Sequence, residues 1–195
     1  MFRVTGLSGF GAGGKPPFIP DSDFWNGSQL SSFTIGVGTI NRNTTNDDQR
    51  RWVYSDAFGG DYIVDMVIDN WIGSAEQVMV GWFRSSDLAS FADDENYARP
   101  MRVANSQGVI AKDSTTDLLL NENATNQSND VAGSDGTKLT FKRAGSVITL
   151  LVNDSLHDTS ALTNTDDIRL MYGAYASGAD GGGLNSIQII SDTGT

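Results

Sequence analysis

The chain has 195 residues and a formal charge of −11, from 24 acidic against 13 basic residues, and it contains no cysteine. A length of this order suits one domain with a sizeable core, while the missing cysteines exclude a disulfide framework and a thiolate zinc site. The bases are scattered, with Arg50-Arg51 the only adjacent arginine pair, and this excludes a nucleic-acid partner, whose binding rests on clustered cations displacing phosphate counterions.

The opening Met1-Phe2-Arg3-Val4-Thr5-Gly6 lacks the apolar run of ~7–15 residues of a secretory signal, and nowhere do ~18 consecutive apolar residues occur. A protein made without export and without a membrane partner is expected. Gly6 to Gly14 followed by Lys15-Pro16-Pro17 holds too much glycine for a helix and too much proline for a central strand. Residues 1–20 therefore read as an extended arm with Phe2, Leu7, Phe10 and Phe18 as anchors, preceding a domain over 21–195. Such an arm offsets its ordering entropy only by lying in a groove of its own domain or of a partner.

From Phe24 onward the pattern is β. Phe33 to Ile40 alternates, Trp52-Val53-Tyr54 follows a polar loop, and Asp61 to Asp69 has strict period 2. In that run Tyr62, Val64, Met66 and Ile68 form a core face, and Asp61, Ile63, Asp65, Val67 and Asp69 form the other. Gln77 to Arg84 is apolar on both faces, as a central strand requires, and 70–76 reads as the hairpin loop joining these two runs. Residues 85–95 hold one short helical turn. Tyr97–Ala104 and Val109–Lys112 read as short edge strands, with Pro100 arguing against a central position, and Asn121–Gly136 reads as a surface loop. Lys138–Asn153 is a hairpin turning at Arg143-Ala144-Gly145-Ser146, and Ile168–Ser191 is a second strand pair.

The run Phe141-Lys142-Arg143-Ala144-Gly145-Ser146, then Val152-Asn153-Asp154, then Leu170-Met171-Tyr172-Gly173-Ala174-Tyr175 and Ile187-Gln188-Ile189 resembles the concanavalin A-like lectin/glucanase sandwich, also called the laminin-G-like jelly roll, over about residues 52–190. The resemblance implies an all-β, antiparallel jelly-roll β-sandwich. The glycine-rich start, Val4 to Gly11, is similar in style to arms of bacteriophage virion proteins.

Family-16-like glucanases carry Glu-x-Asp-x-x-Glu on one strand, whereas Glu76, Glu95 and Glu122 are the only glutamates here and fall in expected loops. Asp61, Asp65 and Asp69 share a strand face, but i, i+4 strand residues lie ~13 Å apart, and a solvated sheet face is the plainer reading. His157, the only histidine, sits in a polar turn. Gly9-x-Gly11-x-x-Gly14 lacks the strand and helix that make a dinucleotide fingerprint. Calcium is the one metal whose ligand type occurs in turns, at Asp21/Asp23, Asp93/Asp94/Glu95, Asp166/Asp167 and Asp180, without calcium-loop spacing. No cofactor, catalytic or metal site is assigned. Five Asn-x-Ser/Thr sequons, at Asn26, Asn43, Asn123, Asn126 and Asn153, read as compositional.

The expected function is thus a non-catalytic structural protein of a phage-like virion, assembled in the host cytoplasm. As a capsid decoration or accessory subunit it would be anchored through its arm to other virion subunits, such as a major capsid protein, or to copies of itself. The alternative is a carbohydrate-binding module recognising a surface polysaccharide through loop aromatics, with Trp25, Trp71, Tyr97 and Tyr175 as the candidate glycan contacts and Trp52 and Trp82 in the core.

Overall fold

The computed structural model describes residues 16–43, 49–69, 77–88, 106–112, 115–122, 125–131, 135–145, 147–161, 167–176 and 182–191. They form two seven-stranded sheets, every pairing antiparallel. Numbered along the chain, the front sheet runs β1 (Trp25–Asn26), β4 (Gln49–Ser55), β13 (Ile168–Ala176), β6 (Gln77–Arg84), β7 (Ser106–Lys112), β8 (Thr115–Glu122) and β9 (Thr125–Val131). The back sheet runs β12 (Ser155–Ala161), β11 (Val147–Val152), β10 (Lys138–Ala144), β5 (Tyr62–Asp69), β14 (Gly183–Ser191), β3 (Thr39–Arg42) and β2 (Phe33–Gly36). No helix among the described residues is long and apolar enough to cross a membrane.

The core lies between the sheets. Tyr62, Val64, Met66 and Ile68 of β5 meet Val53, Val80, Trp82, Ile168, Leu170 and Tyr172 of the front sheet, with Leu139, Phe141 and Leu150 closing one side. The period of two in β5 produces this directly, since its residues alternate between buried and half-buried along the whole strand. The expected hairpin forms as β10–β11, from Leu139↔Val152 to Ala144↔Val147. It continues through a turn at Asn153 and Asp154, both with positive φ, into β12. A single 3₁₀ turn at Ser85–Asp87 is what remains of the expected helical turn within the described residues.

Several pairings differ from the sequence reading. β5 and β6 are not a hairpin: β5 lies between β10 and β14 in the back sheet, and β6 between β13 and β7 in the front. Both carry apolar runs that need a neighbour on each side, which one hairpin partner does not provide. β13 and β14 likewise sit in opposite sheets. Phe33 to Ile40 is broken into β2 and β3 at Val37-Gly38, where Gly38 takes φ 67°. β7 is an interior strand, and Asn121–Gly136 contains β9, which pairs with β8 along Thr125–Val131. A sheet edge requires no apolar face, so a polar sequence serves there. Tyr97–Ala104 lies outside the described residues.

The arm meets the sandwich at its described end. Phe18 exchanges both backbone hydrogen bonds with Ile189, at 2.9 and 2.8 Å, and the Gly38 N–H donates to the Pro20 carbonyl at 2.7 Å. The Phe18 ring packs edge-on against Phe24 at 5.1 Å. Phe18 therefore docks on its own domain, where Ser186 in a left-handed conformation and the irregular register between Asn185 and Gln188 let β14 change partners. Phe2, Leu7 and Phe10 lie outside the described residues.

Candidate functional site

The front sheet's outer face is defined by register. Since Val53, Tyr172 and Val80 belong to the core, their strand neighbours point away from it. One row across the sheet runs Trp52, Gly173, Met79, Ile110, Asp117 and Asp130, and the next runs Tyr54, Met171, Gly81, Gly108, Leu119 and Ser128. Trp52 lies against the backbone at Gly173, where an added Cβ would sit 2.3 Å from the indole Cε3. Only glycine leaves space for the ring. The Trp52 backbone N–H donates to Gln29 Oε1 at 2.7 Å, and its indole Nε1 is buried with no hydrogen-bond partner among the described residues. Trp52 and Met171 are covered although they belong to the outer rows, at 1 % and 0 % exposure.

Beside them the β4–β13 ladder bulges. Tyr54 pairs with Met171, and the next contact is the Phe58–Ile168 bridge. Three residues on one side thus oppose two on the other, a bulge that re-aims side chains. Ser55 supplies the partners that the ladder loses: its Oγ accepts the Leu170 N–H at 2.8 Å and donates to the Asp56 carbonyl at 2.6 Å. Its carbonyl accepts from Arg169 Nη1 at 2.8 Å. Asp56 is held by the Phe24 carbonyl at its N–H, at 2.7 Å, and by Asn26 Nδ2 at its carboxylate, at 3.0 Å. The guanidinium of Arg169 lies over the Tyr54 ring at 5.6 Å, a cation–π contact. Its Nε is buried without a partner, and no carboxylate lies within ion-pair distance of it among the described residues. Tyr54 and Arg169 are both half-buried, so the pair is partly open to solvent.

The back sheet's outer face is organised differently. Asp61 Oδ1 accepts the Gly145 N–H at 2.7 Å and so closes the β10–β11 turn. Asp65 accepts from Thr140 Oγ1 at 2.5 Å and pairs with Lys138 Nζ at 3.6 Å. Lys138 also meets Asp154 at 2.7 Å, and that hydrogen bond holds its ammonium above the usual lysine range. These carboxylates bind neighbouring strands together. On the inner side burial pushes the Tyr62 phenol well above its ordinary range, with Arg143 beside it pulling the other way.

Of the residues expected from sequence to contact a glycan, Trp25 does not offer a face. It is 4 % exposed and packs edge-on against Phe24 at 5.7 Å, because β1 caps the core instead of forming a loop. Tyr175 occupies the outer front row between Arg50 and Gln77. Trp71 and Tyr97 lie outside the described residues, whereas Trp52 and Trp82 are buried as expected. His157 falls at the irregular register of β11–β12, half-buried, in a strand and not a turn. No three of the described His, Asp and Glu residues gather as metal ligands. Sequence reasoning missed Tyr54, Ser55 and Arg169. Its one available signal was a lone arginine inside Ile168-Arg169-Leu170-Met171-Tyr172. It also missed Asp117 and Asp130, which the β8–β9 register sets directly opposite each other.

No family model matches the chain, nor does any curated protein sequence. Solved structures do match. LamA of Zobellia galactanivorans, crystallised as its E269S form with laminaritriose and laminaritetraose, superposes with a TM-score of 0.61 at 10 % identity, over 90 % of this chain and 95 % of that one. An endo-β-1,3-glucanase of Pyrococcus furiosus gives 0.60 at 7 %, over 87 % and 89 %. The carbohydrate recognition domain of Emp47p gives 0.58 at 11 %, over 89 % and 94 %. The fold is therefore the concanavalin A-like β-sandwich. The expectation of a non-enzyme does not stand, because endo-β-1,3-glucanases share this architecture. A missing Glu-x-Asp-x-x-Glu strand is no ground for excluding catalysis. These structures lend nothing to the virion-subunit expectation.

Proposed function

We propose that the chain is a carbohydrate-recognition sandwich whose ligand face is the outer side of the front sheet. The observation that carries this reading is the Tyr54–Arg169 pair, an aromatic ring and a fork of donors held partly open at a bulge. Sugar sites combine an apolar platform with a few convergent polar groups. Half-buried Tyr54 supplies that platform and Arg169 the polar group. Titration of the full chain with laminarin and other polysaccharides, read by calorimetry, tests it. Tyr54→Ala should weaken binding about tenfold, the effect of losing one aromatic contact, with thermal stability nearly unchanged. Binding that ignores Tyr54→Ala would move the face elsewhere.

A second reading, cleavage of the bound glycan, rests on Asp117 opposite Asp130 in the row that begins at Trp52. The register gives the two acids opposed positions on neighbouring strands, and a retaining glycosidase works with two carboxyl groups ~5–5.5 Å apart. Release of reducing ends by the wild-type chain, abolished in both Asp117→Asn and Asp130→Asn, is the expected signature. Release unaffected by either substitution removes this pair from consideration.

A further inference from the structure

We infer that the ligand of the front face carries a sugar-borne oxyanion, a carboxylate or a sulfate, and that Arg169 receives it; this rests on the glycan reading above. The argument begins with charge. The four adjacent strands β4, β13, β6 and β7 contain Arg50, Arg51, Arg169, Arg84 and Lys112 and not one Asp or Glu, in a chain whose acids outnumber its bases 24 to 13. Register sets Arg50, Arg169 and Lys112 on outer-face positions, Arg50 opposite Tyr175 and Lys112 opposite Gln77. These four strands thus carry basic side chains and no acidic ones.

Arg169 shows what this arrangement achieves. A half-buried guanidinium normally meets a carboxylate, because desolvating a charge without a partner is costly. Here the described residues offer it one carbonyl and one ring face, both on the side of β4. Asp56, the acid next to Ser55, is turned to Asn26. The back sheet treats half-buried Lys138 in the opposite way, giving it both Asp65 and Asp154. A guanidinium held by one nitrogen and stacked on an aromatic face is pre-oriented, and its planar fork matches an oxyanion better than a hydroxyl. A ligand carboxylate or sulfate would supply the missing counter-charge, while the sugar ring lies along Tyr54.

The test uses the full chain and four probes: laminarin as a neutral glucan, polygalacturonate, dextran sulfate, and a single-stranded DNA oligomer. Polygalacturonate or dextran sulfate should bind at least tenfold more tightly than laminarin and weaken as salt rises. Arg169→Gln should remove that preference, reducing the charged probes to the level of laminarin; which charged probe wins distinguishes carboxylate from sulfate. Should Arg169→Gln fail to fold, Arg169→Lys keeps the charge without the fork, and a severalfold loss confined to the charged probe supports the same conclusion. Equal affinity for neutral and charged glycans, or a charged-glycan affinity that neither variant alters, overturns the inference and leaves the glycan reading standing. If no glycan binds the folded chain, or the DNA oligomer alone does so, both fall.

Discussion

The outer faces of the two sheets use their polar side chains for opposite ends. On the back sheet Asp65, Thr140, Lys138 and Asp154 satisfy one another across β5, β10 and the β11–β12 turn, and Asp61 holds the Gly145 N–H. On the front sheet half-buried Arg169 has one carbonyl and one ring for company among the described residues. A face whose groups are mutually satisfied contributes to folding and has little left to offer a ligand. A face with unsatisfied donors gives up some stability and keeps them for binding. The difference supports the reading that the ligand face lies on one side of a molecule whose two sides are both seven-stranded sheets.

That contrast can be broken most severely at Gly173. Gly173→Val would drive a branched side chain into Trp52, and a loss of ~3 kcal/mol or more is expected in denaturant titration, together with loss of glycan binding. Phe141→Ala, on the inner side of the back sheet, should cost ~3–5 kcal/mol but leave affinity intact per folded molecule. A drop in affinity there would mean that the faces are not independent. Ser55→Ala is the sharper instrument: it removes the bulge's hydroxyl from Leu170, with an expected cost of ~1–3 kcal/mol and a severalfold weaker ligand contact as Arg169 loses its fixed position. Thermal melts and calorimetry on the same sample separate the two effects. Asp65→Asn should cost ~0.5–1 kcal/mol and nothing in binding.

The smallest expected effect is alkaline. Lys138 and Tyr62 both have folded values raised above their unfolded ones, so each contributes stability that is fully present below pH ~10. It is lost as pH rises through the folded values, because the unfolded chain then releases its protons more readily. Denaturant midpoints should be flat from neutral pH to about pH 9 and fall above ~10. Asp154→Asn should lessen the lysine part of that fall, and a midpoint rising with alkalinity would contradict the assignment.

Legibility in the sequence followed the range of the interactions. β5 could be read residue by residue, because alternation is local and one face is buried. β10–β11 was legible because its turn and both strands lie within sixteen residues, Lys138 to Asn153. Sheet membership was not, because nothing in Asn70–Glu76 reveals that the chain crosses from β5 in one layer to β6 in the other. β9 was invisible because an edge strand of Asn, Gln, Ser and Asp has the composition of a loop. The site was hardest of all: Arg169 meets Ser55 across 114 positions, and the described residues set no carboxylate beside it. Trp25 misled for the converse reason, since a tryptophan next to turn residues reads as exposed until the core it caps is known.

The order in which strands enter each sheet has a consequence for how the molecule is made. β13 holds β4 to β6 in the front sheet, and β14 holds β5 to β3 in the back, yet both belong to the last thirty residues of the chain. During synthesis, therefore, the N-terminal strands wait with open edges for partners not yet translated, and only local pairs such as β2–β3 can close early. Pairing between distant segments is slow, on the order of milliseconds to seconds. A nascent chain halted before Ile168 has the tyrosine of the proposed glycan face but neither the arginine nor the strand beside it, so recognition should arise late and abruptly.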